Sequence, residues 1–170
     1  VCSTVYATDG YSSSVRSLSR VSLASDNVFG DDGGVHELAT VTGSVGKTSV
    51  TQAIKAGLDL AGSAHASIKS YNNHIGVPLT LSRMPHGTER AVFEIGMNHP
   101  GEIAPLARLA RPHAAMITTV AAAHLEAFAA VSDIAVEKAS IIEGLDPSGF
   151  VVLPADLEVT PILTQAASLA

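Results

Sequence analysis

Short segments that are apolar throughout alternate with longer ones whose apolar residues recur every three or four positions. This alternation constrains the fold more than any other feature of the chain. ELATV (37–41), AVFEI (91–95), AAMITTV (114–120) and GFVVL (149–153) read as strands, and AHASI (64–68) as a shorter one. Between them, 48–61 sets Val50, Ile54, Leu58 and Ala61 on one helical face. GEIAPLARLA (101–110) is a helix stopped by Arg111-Pro112, and 160–169 is a last helix. Ser132 predicts the cap of a helix from 133 to about 145, with Asp133 at its positive end. Strands without polar alternation need cover on both faces, so the expected fold is an α/β three-layer sandwich on a mostly parallel sheet.

A chain of 170 residues, 46% of them hydrophobic, can bury one real core. Aromatics are only 4% and tryptophan is absent, so aliphatic side chains must fill it. A net charge of −6 argues against a nucleic-acid or anionic-membrane surface. Such a chain would hold polyphosphate through backbone amides, a lysine and divalent metal. The single Cys2 excludes an internal disulfide and a zinc site of several thiolates. No apolar run approaches the roughly 18 residues of a spanning helix, and VCSTVYATDG lacks a signal-peptide pattern. These features predict a cytoplasmic protein without membrane insertion. Residues 1–36 are serine-rich and fit neither period. They read as irregular or partly strand-forming, with a linker at 30–35, apart from a domain spanning 37–170.

TGSVGKTSV (42–50) lies between an apolar strand and an amphipathic helix, where a phosphate-binding loop belongs. Gly43 and Gly46 allow a tight turn, and the backbone of Ser44, Val45 and Ser49 lines it. Lys47 is a mobile cation, and the Thr48 hydroxyl can ligate Mg2+. The usual spacing would put a further glycine where Val41 stands. Other polar residues follow the carboxyl ends of strands, where ligands of such sheets collect: Asn72 and Asn73, Glu94, His124 and Asp156. Glu94 is either a Mg2+ ligand, direct or through water, or a half-buried acid paired with a base. His124, with Glu126 close behind, is a structural hydrogen-bonder or a metal ligand. His36, His65, His86 and His113 read as solvent or packing residues. Lys138 shares one helical arc with Ile134, Ile141, Ile142 and Leu145. It is either a desolvated, nucleophilic amine or a lysine that snorkels outward.

GSVGKT, SYNNHIGVPLTL, FEIGMNHPGEI, AAAHLEAF and EKASIIEGL together resemble the Mur ligases of peptidoglycan synthesis, over about 38–156. That family uses a shorter glycine–lysine–threonine loop, so the resemblance removes the objection at Val41. It implies an ATP-binding central domain in an enzyme that activates a carboxylate as an acyl phosphate and joins it to an amine. SYNNHIGVP points to the branch that adds D-alanyl-D-alanine to UDP-N-acetylmuramoyl-tripeptide. By resemblance, Lys47 holds the β- and γ-phosphates, Thr48 and Glu94 one Mg2+, and His124 a second. Asn73, with Asn72, sits near the γ-phosphate, and Lys138 matches a lysine that becomes carbamylated. LPAD puts Pro154 where the family often has an asparagine, leaving Asp156 for the adenine. The first 36 residues do not resemble the family's uridine-nucleotide domain, and a C-terminal domain is not seen. A fragment of a three-domain ligase, inactive alone, is therefore expected. The competing expectations are a non-catalytic nucleotide-binding module and a folylpolyglutamate-synthase-like ligase.

Overall fold

The computed structural model describes residues 3–7, 37–123 and 126–169, with 3–7 described for their backbone alone. The linker expected at 30–35 lies outside the described residues. One six-stranded sheet runs through the molecule in the order β1-β6-β5-β2-β4-β3. Its strands are β1 (Ser3–Ala7), β2 (Glu37–Thr42), β3 (Ala64–Ala66), β4 (Arg90–Glu94), β5 (Ala114–Ile117) and β6 (Phe150–Pro154). β2 to β6 are parallel, and β1 adds antiparallel to β6 at one edge. From the central β2 the chain first builds one side of the sheet, β3 and β4, and then the other, β5 and β6. The reversal opens a crevice beyond the carboxyl end of β2.

The helices are α1 (Lys47–Asp59), α2 (Gly76–Ser82), α3 (Ile103–Ala110), α4 (Val131–Ala139) and α5 (Thr160–Ser168). Side chains alternate across a strand, so Val41 and Glu94, which pair in register, share one face. Thr40 and Phe93 share the other. Thr48 at the head of α1 reaches Glu94, which sets α1 on the first face, over β4 and β3. The second face carries the main core. There Ile103 and Leu106 of α3, Ile134 of α4 and Leu163 of α5 pack with Ile117, Val151 and Leu153 of the sheet. A fully buried side chain of this size stabilises by about 1.5–3 kcal/mol. An exposed helix pair such as Lys55–Asp59, 2.6 Å apart, adds about 0.3–0.5 kcal/mol. The aliphatic packing therefore dominates the fastening of α3, α4 and α5.

Four local expectations need correction. The helix expected over 133–145 is α4 followed by a 3-10 turn, Ser140–Gly144. The break falls where the Ser140 hydroxyl donates to the Glu137 carbonyl at 2.6 Å, a local bond that competes with the α-helical ladder. The helix also starts earlier: Ala130 is extended and its N–H donates to Asp133 Oδ2 at 3.1 Å, so Asp133 rather than Ser132 closes the end. On α1, Val50, Ile54 and Leu58 are only half-buried and Ala61 is exposed, while Thr51 is the buried residue. α2 was not expected at all. No described helix is long and apolar enough to cross a membrane.

Candidate functional site

The carboxyl end of β2 runs into the glycine loop, which the segment after β5 holds in place. Ser44 N–H donates to the Thr119 carbonyl at 2.9 Å, and the Thr118 hydroxyl donates to the Val45 carbonyl at 2.7 Å. The Ser44 hydroxyl donates to the Ala121 carbonyl at 3.2 Å and accepts from the Ala121 N–H at 3.0 Å. Gly43 has φ +151° where a Cβ would stand 1.9 Å from Thr118 Oγ1, so a side chain is excluded. Gly46 turns the chain into α1 with φ +82°, a left-handed conformation that favours glycine. α1 then starts with no side-chain cap and no acidic residue in its first turn. Its first N–H groups have no intrahelical partner and stay open to an anion. Lys47 Nζ donates to the Gly43 carbonyl at 2.8 Å, holding the cation across the mouth of the loop. Val45 and Ser49 are exposed beside it.

Glu94, the last residue of β4, is 1% exposed. Its two oxygens are shared between neighbouring elements: Thr48 Oγ1 donates to Oε2 and Asn72 Nδ2 to Oε1, each at 2.7 Å. Ser67, in the loop after β3, accepts from the Glu94 N–H at 3.1 Å. Asn73, beside Asn72, turns elsewhere. Its Oδ1 accepts from Ile75 N–H at 3.1 Å and Gly76 N–H at 2.9 Å and closes the start of α2. Asp156 is exposed in the turn after β6, two strands away from β2. His124 lies outside the described residues. Of the other histidines, His113 is buried with Nδ1 accepting from Leu38 N–H at 3.2 Å. His65 packs edge-on against Phe93, with Nε2 3.0 Å from the Thr80 carbonyl.

Lys138 is only 2% exposed. Burial, followed by repulsion from the Lys47 ammonium, pushes its pKa down to about 8, while the neighbouring Glu137 carboxylate pulls the other way. At neutral pH roughly one in ten of these amines is uncharged, far more than for an ordinary lysine. The coupling to Lys47 ties α4 electrostatically to the glycine-loop side of the molecule.

The oxygens at the crevice fit magnesium. Neighbouring ligands of a Mg2+ octahedron stand about 2.9 Å apart, and the ion usually keeps waters and substrate phosphates besides one or two carboxylates. Thr48 Oγ1 and Glu94 Oε2 are 2.7 Å apart, and the hydroxyl can donate to the carboxylate while offering a lone pair to a cation. Among the described residues no three or more of His, Cys, Asp and Glu cluster as a metal cage. One carboxylate with a hydroxyl thus suits an ion that takes the rest of its shell from phosphate and water.

Ser67, Thr118 and Glu137 had not been singled out from the sequence. Ser67 and Thr118 carry a signal, since each follows a strand at the carboxyl edge. Glu137 sits just beyond the apolar arc of α4 and carries none.

A family model described as the Mur ligase middle domain matches residues 41–170. The UDP-N-acetylmuramoyl-tripeptide–D-alanyl-D-alanine ligase of Escherichia coli K12 is 42% identical over 119 residues, 70% of this chain and 26% of that protein. The ligase of the same name from Bacillus subtilis 168 is 42% identical over 128 residues, 75% of this chain and 27% of that protein. The chain thus spans about a quarter of the length of these curated relatives. A crystal structure of MurF from Acinetobacter baumannii superposes with a TM-score of 0.76 at 29% identity, covering 78% of this chain and 29% of that one. With a family match over most of its length and the glycine loop, Glu94 and Lys138 on one scaffold, this chain belongs to the Mur ligase family and carries its middle domain.

Proposed function

We propose that the protein carrying this chain is an ATP-dependent ligase of peptidoglycan-precursor assembly, acting in the cytoplasm. It adds D-alanyl-D-alanine to UDP-N-acetylmuramoyl-tripeptide. The observation that carries this is the junction of Thr48, Glu94 and Asn72 beside an uncapped helix start. Triphosphate would lie on the amides of residues 43–49, with Lys47 released from the Gly43 carbonyl onto the β- and γ-phosphates. Asn72, with Asn73, would stand near the γ-phosphate, and Asp156 would face the adenine.

Thr48 and Glu94 would hold one Mg2+, and His124 and Lys138 would complete a second site. Bound there, magnesium would screen the phosphate charge that repels an attacking carboxylate. The tripeptide's terminal carboxylate oxygen attacks the γ-phosphorus, the bond to the β-phosphate oxygen breaks, and ADP leaves. The amine of D-alanyl-D-alanine then adds to the acyl-phosphate carbon. The tetrahedral adduct loses phosphate and a proton to give the amide. The part of this chain is to align the triphosphate, neutralise its charge and keep water from the acyl phosphate.

The environment of Lys138 supports carbamylation. Its amine is partly neutral and faces the Lys47 cation, so addition of CO2 would turn a repulsion into an attraction. A module that only bound nucleotide would have no use for a buried lysine there, so this residue favours catalysis. The test uses the complete protein with ATP and Mg2+. ADP release should require both UDP-N-acetylmuramoyl-tripeptide and D-alanyl-D-alanine. Release that ignores the dipeptide, or no release with both present, overturns the assignment.

A further inference from the structure

Glu137 is 8% exposed, and both of its carboxylate oxygens are committed to another element. Oε2 accepts from Gly101 N–H at 2.8 Å and Oε1 from Ile103 N–H at 3.0 Å. Both donors lie at the entrance of α3, in the segment that begins at Glu94 and leaves β4. The same segment is tied to Asn72 through Gly96 N–H and the Asn72 carbonyl, 2.8 Å apart. The residue after Glu137 is Lys138, turned about 100° around the helix.

We propose that Glu137 is a positioning residue for the ligase reaction, holding α4 against the segment that leaves Glu94 so that the buried Lys138 keeps its place. This rests on the function proposed above. α4 has only nine residues and passes directly into the 3-10 turn, so its own length resists rolling poorly. Two charge-assisted bonds from one buried carboxylate fix its rotation. A roll of some 20° would move the tip of Lys138 by roughly 2 Å. Displacements of that size are enough to cost a positioned group most of its rate advantage. Glu137 touches no reacting atom in this scheme and acts through Lys138.

The test compares the complete protein with its Glu137→Ala and Glu137→Gln variants. Turnover and KM for ATP are measured at temperatures where each variant is folded, along with amide hydrogen exchange. Glu137→Ala is expected to lower kcat about tenfold or more and leave KM for ATP within about twofold, because the glycine loop has its own anchors. Glu137→Gln keeps the shape and one acceptor oxygen, and should recover part of the loss. Exchange should quicken at Gly101 and Ile103 in both variants and stay unchanged over 43–50. Unchanged kcat, a KM that rises in step with the fall in kcat, or unaltered exchange at the two amides would each overturn the proposal. Should the alanine variant not fold, the glutamine variant decides by the same readings. Absence of turnover in the wild-type protein would instead count against the functional assignment, and amide exchange would still judge the clamp.

Discussion

Two helices begin at the same edge of the sheet and are treated in opposite ways. The start of α1 is left bare: a left-handed Gly46, no side-chain bond and no acid in the first turn. The start of α3 is closed by a carboxylate from α4. Glu137 covers Gly101 and Ile103, while Glu102 braces the turn just before the helix, accepting from Asn98 N–H at 2.7 Å and His99 N–H at 3.2 Å. The Asn98 N–H in particular holds the Glu102 carboxyl below its usual pKa. Both helix starts offer the same partial positive charge. Which one can receive a phosphate is decided by whether the protein has already supplied an anion, and here only α1 remains free to accept one.

The sharpest way to break this contrast is at Lys47. Lys47→Ala in the complete protein should cut ligase turnover by at least about a hundredfold, and unchanged turnover would show that α1 is not the phosphate site. Gly43→Ala comes next. The new methyl would collide with Thr118 Oγ1, so loss of about 1–3 kcal/mol of stability is expected. ATP affinity by calorimetry should fall more than tenfold, while the same change at Gly101, beside the closed helix start, should leave ATP affinity alone.

In CO2-free buffer, where its amine stays free, Lys138 gives a pH signature. Its folded pKa of about 8 lies below the ordinary 10.5. Below pH 8 the buried ammonium burdens the folded state. Between 8 and 10.5 the folded state has released the proton and the unfolded chain still holds it, so stability rises with pH across that window. The gain should be of order 3 kcal/mol at most. Lys138→Met should abolish it, and an NMR titration of the Lys138 Cε resonance with a midpoint near 10.5 would contradict it. The smallest effect belongs to Glu102→Gln, which weakens two bonds in the turn before α3 and should cost about 0.5–1 kcal/mol. ATP binding should not change, since that turn is scaffold.

The parallel sheet and the glycine loop were legible because both depend on local pattern. Apolar runs with helical segments between them admit few architectures, and a glycine turn before an amphipathic helix has a physical purpose at any such position. Asn72 and Asn73 show where the sequence stops. Two identical side chains stand next to each other, and only the backbone turn into α2 decides that one meets Glu94 and the other closes a helix. α2 itself was hidden because GVPLTLS is short, contains Pro78 and owes its start to Asn73. Glu137 was missed because its partners are main-chain amides 34 and 36 residues earlier, and an amide leaves no mark in the letters of a sequence.

The reciprocal bond between Ser44 and Ala121 makes the glycine loop and the exit of β5 one mechanical unit. A pull on the serine is therefore also a pull on the alanine. Whatever displaces the turn after β2 must carry the start of the segment after β5 with it, and neither can be loosened singly.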